Sequence, residues 1–588
     1  MKQFQIAYKN DEAFLKELEE IKRWCDTTPS YTTLFRIYSE DMDLEHLQHV
    51  CDILDSTMPE ALYLGSTTQA NILNGALTRA KIILTCTVFE YETTQAELLC
   101  FPFSEENAKE VVQKLKTYCD ANPWVTAVEM HATMLGMSLK EFCKEISTLR
   151  SEIQVYGGGA CNPDPSILRT NVFGKGRGFS ERGIVFLLLG GSDFHLYSTY
   201  ISGWQPLERR FTITKARGEI LYELDGEPAF HVYQRFLNIE KNDQFVSNTL
   251  AFPLSMDHNG IDVLRCPMAA NDDDSLSMTS EVEEGAEIRL AFGDPDTILS
   301  HIRQDGQNIA DFQPEVIQAF SCAARRSFWG DENVSDETVL FNSVAPTSGF
   351  YTGGEFLRID GDVLHFNITL VLAAMREGEA KHDHVHKTRF DSIESDRISL
   401  IKRFVSFIEA ATVEFDALNK KLTVISVTDG LTSLYNRAEI ESRIRSTLDD
   451  RAPDEPASAL SLIMLDIDNF KRINDAYGHK EGDRVIIALS DILRKVLSGE
   501  DSAYSGRWGG EEFMVLLKGR NVDEAVELAE KIRTEFASVS YETAGCQTVS
   551  VGVTQARDGE DADTLYSRVD KALYTAKANG KNQVVTLK

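Results

Sequence analysis

Residues 462–468 read LIMLDID, and residues 507–517 read RWGGEEFMVLL. The first stretch predicts a short buried β-strand that ends in a carboxylate, because its apolar run is strand-sized. The second predicts a tight hairpin at Gly509-Gly510, since glycine accepts positive φ and lets a backbone approach a ligand closely. Three carboxylates then stand at neighbouring strand ends and form an oxygen-rich site suited to Mg²⁺: Asp466, Glu511 and Glu512. Magnesium between carboxylates and phosphates is common in nucleotidyl transfer.

Three further motifs surround these two stretches. Residues 470–483 read FKRINDAYGHKEGD, and residues 570–582 read DKALYTAKANGKN. Upstream, Asp429-Gly430-Leu431-Thr432 is followed by Asn436-Arg437. With all five pieces in this order, residues 429–588 resemble the GGDEF family of diguanylate cyclases. Any single piece is weak support, and it is their combination that carries the identification.

The resemblance implies a palm-like α/β domain that condenses two GTP into cyclic di-GMP and two pyrophosphates. In the family each domain holds one GTP, so two domains must face each other, and Mg²⁺ or Mn²⁺ is required. By position, Asp466, the backbone carbonyl of Ile467 and Glu511 are expected to hold the metal. Glu512 is expected to help deprotonate the attacking 3′-hydroxyl. The catalytic residues implied are Glu512, Glu511 and Lys471.

The resemblance also implies which residues bind the nucleotide. Gly509 and Gly510 let it lie against the hairpin, and Asn474 and Asp483 read guanine, whose N1–H and amino group a carboxylate can accept. Lysines are expected to neutralise the triphosphate oxygens: Lys471, Lys577 and Lys581. Lys581 stands where the family often has arginine, so a point charge is kept while a bidentate contact is lost.

A product-inhibition site is expected to be missing. Many relatives carry Arg-x-x-Asp with five residues between it and the glycine pair, and this chain has Glu500 and Ala503 at those positions. A glutamate places negative charge where a dianionic product would bind. The sequence therefore predicts weak feedback through this site.

A helical pattern without glycine or proline runs to Val427. Its apolar residues recur at alternating spacings of three and four: Ile401, Phe404, Ile408, Ala411, Phe415, Leu418, Leu422 and Ile425. This a/d seam predicts a coiled coil, and therefore a homodimer through helix 401–425. A single amphipathic helix lying on a domain surface is the alternative.

The first 370 or so residues resemble the FIST sensory domains of bacterial signalling proteins. The residues that carry this resemblance are Gly65–Thr68, Gly157–Ala160, Gly203-Trp204, Asp225–Ala229, Phe320–Arg325, Gly349–Glu355 and Leu364–Asn367. The resemblance implies a small ligand such as an amino acid, and some members are reported to bind haem and respond to nitric oxide.

Cys322, Arg325 and Glu355 are the predicted ligand contacts of this sensor, with a structural role as the alternative for each. Haem would need an axial His or Cys, and the candidate histidines are His231, His258 and His365. Three alternate histidines farther along share one strand face and could bind a transition metal: His382, His384 and His386. A solvated hinge is the alternative reading of that segment.

Composition limits the partners and the compartment. The net charge is −32, which argues against binding to nucleic acid or to an anionic membrane. No apolar run reaches membrane-helix length. The 10 cysteines are scattered without a CxxC pair, which favours free thiols in a reducing compartment. We therefore expect a cytoplasmic protein without membrane insertion, whose product acts on cyclic di-GMP effectors.

The predicted fold is α/β multidomain, with a two-part α/β sensor, a helical coiled-coil linker and a palm-like cyclase domain. The predicted boundaries are 1–225 and 226–376 for the sensor, 377–428 for the hinge and signalling helix, and 429–588 for the cyclase. Within the sensor, Asn271–Glu284 is predicted to be a polar, flexible loop. Two other functions remain open: a catalytically inactive GGDEF nucleotide receptor, and a ligand-sensing scaffold that signals by protein association.

Overall fold

The structure, a computed structural model, describes residues 1–134, 136–164, 167, 169–380, 400–449, 459–499 and 502–587. The chain divides into two compact units, Met1–Phe407 and Ile408–Lys588. The division falls inside one long helix, Leu400–Val427.

The first part of the first unit alternates strands with helices. The strands are β1 (Lys2–Ala7), β2 (Thr32–Ser39), β3 (Leu62–Thr67), β4 (Ala70–Leu73), β5 (Ala76–Thr78), β6 (Ile82–Phe89), β7 (Gln95–Pro102), β8 (Val125–Ala132), β9 (Gln154–Gly159), β10 (Val172–Gly174), β11 (Arg177–Ser180), β12 (Gly183–Gly190) and β13 (Phe194–Ile201). The helices are α1 (Asp11–Thr27), α2 (Leu44–Thr57), α3 (Ala108–Ala121) and α4 (Lys140–Ile146).

The second part continues in the same style. Its strands are β14 (Trp204–Arg217), β15 (Ile220–Leu224), β16 (Glu227–Pro228), β17 (Leu254–His258), β18 (Ile261–Arg265), β19 (Pro267–Ala270), β20 (Leu276–Met278), β21 (Glu287–Gly293), β22 (Val316–Cys322), β23 (Thr347–Thr352), β24 (Glu355–Ile359), β25 (Asp362–Phe366) and β26 (Leu370–Glu377). Its helices are α5 (Ala229–Leu237), α6 (Phe245–Leu250), α7 (Pro295–Phe312), α8 (Ala323–Trp329), a 3₁₀ turn (Val334–Glu337) and α9 (Val339–Asn342).

The sheets of this unit interlock its two parts. Three six-stranded sheets have the orders β1-β6-β2-β3-β10-β11, β25-β24-β9-β8-β12-β7 and β13-β26-β22-β23-β4-β5. Another has the order β18-β17-β21-β14-β15-β20-β19, with β16 beside β15. The second sheet places β24 beside β9, and the third places β4 beside β23. Strands from both sides of residue 225 therefore share sheets.

One apolar core joins the three six-stranded sheets. It includes buried residues from five strands: Leu34, Leu187, Phe320, Phe350 and Leu357. Because both faces of these sheets are covered, their strands read as nearly continuous apolar runs, which is typical of sheets buried between layers.

Parallel strand pairs converge at one place in this unit. They are β2 with β3, β8 with β9, and β22 with β23. Backbone hydrogen bonds join the segments after their carboxyl ends: the Cys161 N–H donates to the Thr67 carbonyl (2.9 Å), and the Gly159 N–H to the Gly354 carbonyl (2.8 Å). The carboxyl ends of parallel strands are common ligand sites in α/β sheets.

The predicted loop Asn271–Glu284 is partly wrong. It contains β20, which pairs with both β15 and β19. Leu276 and Met278 on this strand are buried in a core with Phe211 and Leu254. Two apolar residues on either side of a serine are too short a period-two signal to stand out among the neighbouring acids.

The second unit has a five-stranded sheet of order β28-β29-β27-β32-β33 and a small hairpin. Its elements are α10 (Leu400–Val427), α11 (Arg437–Asp449), β27 (Leu460–Ile467), α12 (Phe470–Tyr477), α13 (His479–Leu497), β28 (Ala503–Gly509), β29 (Glu512–Lys518), α14 (Val522–Ala537), β30 (Ser540–Tyr541), β31 (Gly545–Cys546), β32 (Val549–Gln555), α15 (Ala562–Ala578) and β33 (Val584–Thr586).

Helices cover both faces of this sheet. One apolar cluster joins the sheet to α12, α13 and α14, and a second joins it to α11 and α15. The central strand β27 is buried along its whole length. The predicted α/β fold of this domain is confirmed, and so is the buried strand that ends at the first carboxylate.

The predicted helix before this domain is confirmed as α10. Large side chains of its a/d seam are exposed: Phe404 by 59%, Ile408 by 61%, Phe415 by 62% and Leu418 by 53%. The coiled coil itself needs a second helix and stays a prediction. Within the described ranges, no helix combines the length and apolar character needed to cross a membrane.

Candidate active site

The two carboxylate-bearing stretches lie side by side in the sheet. Asp466, near the end of β27, is directly opposite Glu512, the first residue of β29. The Ile467 N–H donates a hydrogen bond to the Glu511 carbonyl (3.3 Å), which ties the hairpin tip to the end of β27. The strand register therefore brings Asp466, Glu511 and Glu512 to one edge of the sheet.

Asp466 is the most buried of these acids, with 7% of its surface exposed. Burial raises the pKa of its carboxyl to about 6, and the negative charges of Glu511 and Glu512 add to this effect. Lys577 opposes it by forming an ion pair, with its Nζ 2.7 Å from Asp466 Oδ2. At this edge of the sheet, the negative charges of the three acids repel one another, and the positive charge of Lys577 offsets part of that repulsion.

Two properties were expected of the hairpin glycines: positive φ, and a bare backbone that a ligand can approach. Neither Gly509 nor Gly510 has a φ in the left-handed region, so the expectation of positive φ is wrong here. A Cβ on Gly509 would stand 3.1 Å from Glu512 Oε2, and one on Gly510 would meet open space. Glycine keeps the hairpin bare beside the acids, which leaves room for a ligand.

Arg507 forms hydrogen bonds with the tip of this hairpin. Its Nε and Nη2 donate to the Gly510 carbonyl at 3.0 and 2.7 Å, and its Nη1 lies 3.3 Å from the Asp429 carboxylate. Asp429 in turn accepts hydrogen bonds from the Thr432 N–H and hydroxyl. Burial alone would raise the pKa of Asp429, but the bonds from Thr432 and Arg507 outweigh it and lower that pKa.

The Asp429 motif is also joined to the end of α10. The Asn436 side chain donates to the Ser426 carbonyl (2.6 Å), and its backbone N–H donates to the Val427 carbonyl (2.9 Å). A continuous chain of contacts thus runs from the last turn of α10 to the tip of the glycine hairpin.

The predicted guanine-reading residues lie where α12 meets α13. Asn474 Oδ1 is buried and has no hydrogen-bond partner in the described structure. It faces Gly482, where an added Cβ would stand 2.0 Å from that oxygen. Asp483, the next residue, is exposed. The unpartnered amide oxygen makes this junction a candidate ligand site, and the sequence reasoning did not single out Gly482, which leaves space for the Asn474 amide.

Lys471 lies apart from the Asp466 ion pair. It lines an open cleft of about 530 Å³ together with Asn469, Arg472, Asp475 and Ala476. The cleft is open and four of its five lining residues are charged or polar, but no described contact joins Lys471 to the three acids.

Lys581, the last of the three predicted triphosphate lysines, lies just after α15. Lys581 and Asn582 have φ values of 67° and 44°, and this left-handed turn folds the chain back at the helix end. Lys581 Nζ then donates to Asn469 Oδ1 at 2.5 Å. The two lysines of the DKALYTAKANGKN motif therefore have different partners, a charged carboxylate for Lys577 and a neutral amide for Lys581.

The Asp468 carboxylate is hydrogen-bonded to neighbouring segments of the same domain. It accepts hydrogen bonds from Thr548 Oγ1 (2.7 Å), Ser550 Oγ (2.6 Å) and the Asn582 N–H (3.1 Å). These bonds tie β27 to β32 and to the turn after α15, so this second aspartate positions the site rather than presenting oxygens to it.

The donor set fits a hard divalent cation. Asp466, Glu511 and the Ile467 carbonyl supply oxygen ligands, which Mg²⁺ and Mn²⁺ prefer. Across the described residues, however, no three acidic, His or Cys side chains converge closely enough to hold a metal ion.

In the sensor, Arg325 has a structural role, the alternative that the sequence left open. It is fully buried and forms a fork with Glu337, with Nε 3.0 Å from Glu337 Oε2. Its Nη1 donates to the carbonyls of Ile201 (3.2 Å), Ser202 (2.8 Å) and Ile368 (2.9 Å). These partners engage each nitrogen of the guanidinium in holding α8 to the sheet.

Cys322 and Glu355 do meet, at the junction of the parallel strands. Cys322 pairs across the strands with Thr352, whose hydroxyl donates to Glu355 Oε1. Glu355 Oε2 is buried without a hydrogen-bond partner in the described structure. Burial raises the pKa of the Glu355 carboxyl well above its usual range, and burial beside Glu355 raises that of the Cys322 thiol. Cys161 lies close enough for Glu355 to raise its pKa as well.

Two of the three candidate haem ligands are half exposed. His231 pairs with Asp274 (3.3 Å) and His258 with Asp362 (3.5 Å). His365 is only partly exposed, its Nδ1 lies 3.2 Å from Ser280 Oγ, and its Nε2 is buried without a partner in the described structure; desolvation lowers its pKa to about 3. The histidines His382, His384 and His386 and the product-site residue Glu500 lie outside the described residues.

A buried charge cluster in the sensor was missed by the sequence reasoning. Arg36 and Glu129, both fully buried, pair at 2.7 Å, and His131 and Tyr156 each contact the Glu129 carboxylate at 3.1 Å. Glu129 and His131 share β8, but Arg36 lies on β2 and Tyr156 on β9, so no local spacing signals the whole cluster.

Three protein families match consecutive parts of the chain. The family described as FIST N domain matches residues 34–227, and the one described as FIST C domain matches residues 229–358. The family described as diguanylate cyclase, GGDEF domain, matches residues 426–583.

Individual relatives match the C-terminal part. Over 129 residues the chain is 45% identical to the diguanylate cyclase DgcM of Escherichia coli (strain K12), which is 22% of this chain and 31% of that protein. Over 168 residues it is 38% identical to a diguanylate cyclase of Vibrio cholerae serotype O1, which is 28% of this chain and 51% of that protein. The chain thus spans about a third to a half of the length of these curated relatives.

A solved structure of the active GGEEF domain of a diguanylate cyclase from Vibrio cholerae is 38% identical. The match covers 26% of this chain and 97% of that one, with a TM-score of 0.25.

Proposed function

We propose that this chain, in which a GGDEF domain at residues 426–583 follows FIST N and FIST C domains, is a diguanylate cyclase. It condenses two GTP into cyclic di-GMP and two pyrophosphates. The observation that carries the proposal is the placement of Asp466 opposite Glu512, with Glu511 at the adjoining hairpin tip. Acids gathered where burial opposes their charge are typical of functional sites.

The reaction is two in-line nucleotidyl transfers. The 3′-hydroxyl oxygen of one GTP forms a bond to the α-phosphorus of the other, and the bond from that phosphorus to pyrophosphate breaks. Glu512 takes the hydroxyl proton, since it stands at the bare face of the hairpin. The second transfer, in the opposite direction, closes the ring. Two GTP-loaded domains must therefore face each other.

Asp466, Glu511 and the Ile467 carbonyl would hold Mg²⁺ or Mn²⁺. The bound metal supplies positive charge that stabilises the reacting phosphates and the pyrophosphate leaving group. The chain's own cations complete this task, because Lys471, Lys577 and Lys581 can approach triphosphate oxygens as point charges. Lys577 bonds Asp466 and Lys581 bonds Asn469, so each of these two lysines would leave a different contact to reach the triphosphate.

Guanine is read at the junction of α12 and α13. The unpartnered Oδ1 of Asn474 can accept from a guanine N–H, and the exposed Asp483 can accept from the neighbouring donors. Adenine lacks this pair of donors, so the site rejects it by leaving its buried oxygen without a partner.

The proposed active species is a homodimer joined through α10. The exposed seam at Phe404, Ile408, Phe415 and Leu418 supplies the apolar surface that a partner helix would bury. Such a dimer holds two domains at high effective concentration. The dimer is proposed to work in the cytoplasm, where its product acts on cyclic di-GMP effectors.

The sensor is proposed to bind a small ligand at the strand junction around Glu355, Cys322 and Thr352. A buried carboxyl oxygen without a partner costs free energy, which a ligand that forms a hydrogen bond with it would recover. Haem is a separate proposal that rests on the buried, unpartnered Nε2 of His365. An absorption spectrum of freshly purified protein decides this point, because bound haem gives an intense Soret band.

The function is tested by incubating the purified chain with GTP and Mg²⁺ and identifying the products by chromatography. Cyclic di-GMP with pyrophosphate supports the proposal. GTP binding without turnover would identify the inactive receptor instead. Neither binding nor turnover would favour a scaffold that signals by protein association.

A further inference from the structure

Lys577 forms an ion pair with Asp466, a carboxylate that the proposed function assigns to a metal ion. Its Nζ lies 2.7 Å from Asp466 Oδ2, and the two side chains are 35% and 10% exposed. Lys577 comes from the last turn of α15, a helix anchored under the sheet by Leu565, Val569 and Leu573. The contact is therefore built from two well-anchored elements and not from flexible surface chains.

The pair balances charge in the nucleotide-free site. Asp466 is buried beside Glu511 and Glu512, and the negative charge of these neighbours opposes its ionisation. An ionised Asp466 without a cation would be a buried, uncompensated charge, which is strongly unfavourable. Lys577 supplies that cation when no metal is bound.

A divalent metal and Lys577 cannot both stay on Asp466 at low cost. Mg²⁺ binds carboxylate oxygens at about 2.0–2.1 Å, which would bring the ion close to an ammonium group 2.7 Å from the same carboxylate. In a partly buried site such like charges repel strongly, because little water screens them.

We propose that Lys577 is an exchangeable counter-ion of Asp466 that leaves when metal enters and then pairs with the triphosphate. This inference rests on the proposed function, because it takes Asp466 as a metal ligand. Lys577 is thus a positioning residue that keeps the acids gathered before substrate arrives. This exchange also couples binding of the metal ion to binding of the nucleotide. When the metal binds Asp466, the Lys577 ammonium group is released and can bind the triphosphate. A bound triphosphate then keeps Lys577 from pairing with Asp466 again.

Lys581 provides the matched control. It belongs to the same motif, but its Nζ bonds a neutral amide oxygen, Asn469 Oδ1, at 2.5 Å. Its removal leaves no buried charge uncompensated and removes no competitor from Asp466. The exchange therefore predicts different Mn²⁺ affinities after removal of two lysines that a simple phosphate-binding role would treat alike.

The test is Mn²⁺ binding to the full chain without nucleotide, followed by electron paramagnetic resonance. We expect Lys577→Met to bind Mn²⁺ about tenfold more tightly than wild type, because a neighbouring charge shifts cation affinity of a carboxylate by one or more factors of ten. Lys577→Arg should keep wild-type affinity, and so should Lys581→Met. Both Met variants should bind a non-hydrolysable GTP analogue more weakly when Mn²⁺ is present.

Asp466→Asn, made in each background, isolates this site from weak binding elsewhere on a chain of net charge −32. Unchanged or weaker Mn²⁺ binding in Lys577→Met, together with loss of binding in Asp466→Asn, would overturn the exchange and leave the proposed function intact. Mn²⁺ binding that ignores Asp466→Asn would instead overturn the metal assignment itself, and the exchange with it.

Discussion

At the scale of single residues, Gly482 leaves the space that the Asn474 amide of the proposed guanine site occupies. An added Cβ there would stand 2.0 Å from Asn474 Oδ1, the buried oxygen that awaits a donor. The residue lies in α13 with an ordinary helical backbone, so its need for glycine is one of space and not of conformation.

We expect Gly482→Ala to weaken GTP binding about tenfold or more, because it displaces the amide that reads guanine. The fold should persist, since alanine favours a helix interior. Gly499→Ala is the matched control, because a Cβ at that glycine meets open space. Isothermal titration with a GTP analogue measures the effect, and equal affinities for the two variants would contradict the assignment of this junction.

Arg507 is the residue that fixes the hairpin tip. Replacing it with Ala removes both bonds to the Gly510 carbonyl and the contact with Asp429. We expect kcat to fall about a hundredfold, because small displacements of reacting groups cost that much, while the KM for GTP changes little. Lys at this position should recover only part of the rate, since it cannot form the fork. A raised KM with unchanged kcat would show that Arg507 binds substrate instead.

At the scale of elements, the proposed role of α10 depends on a second copy of the same helix. Its seam exposes phenylalanine, isoleucine and leucine side chains along one stripe. Its last turn is bonded through Asn436 to the Asp429 motif, which contacts Arg507. A change in how two such helices pair could therefore reach the hairpin through hydrogen bonds.

Replacing Phe404, Ile408, Phe415 and Leu418 with serine should give a monomer with low activity at nanomolar concentration. Activity should return as protein concentration rises, because the coil acts through effective concentration. Val413→Ser is the control, since Val413 is equally exposed (59%) but lies off the seam. Light scattering and initial rates measure the outcome, and a monomer that is fully active when dilute would refute the dimer.

The elements of the catalytic domain follow from local patterns, and this is why the sequence predicts them well. The strand to Asp466, the hairpin after Arg507 and helix α10 are each signalled by a contiguous run. The sequence does not reveal which contacts form between segments that are distant in the chain. The pair Lys577–Asp466 joins residues far apart in the chain, and the fork from Arg507 ends on a backbone carbonyl that no residue type reveals.

At the scale of the whole molecule, the sensor is less legible because its sheets are built from distant segments. Strands β4 and β5 join the sheet of β22 and β23, and β24 and β25 join that of β8 and β9. The junction at Glu355 depends on this interlocking, whereas the buried pair Arg36–Glu129 joins two different sheets. Residue types alone suggested Cys322, Arg325 and Glu355 equally, and only tertiary contacts separate the structural arginine from the two that meet.

The central claim is that the acids at the ends of β27 and the hairpin make cyclic di-GMP from GTP. Its most direct test is the initial rate of product formation by the full chain with GTP and Mg²⁺, compared with Glu511→Gln at the same concentration. Glu542→Gln, an exposed acid of the same domain, is the matched control. The wild type and the control should form cyclic di-GMP at similar rates. Glu511→Gln should be slower by about a hundredfold or more, because transition-state charge stabilisation worth several kcal/mol is lost. Equal rates in all three proteins, or no cyclic di-GMP from the wild type, would contradict the account.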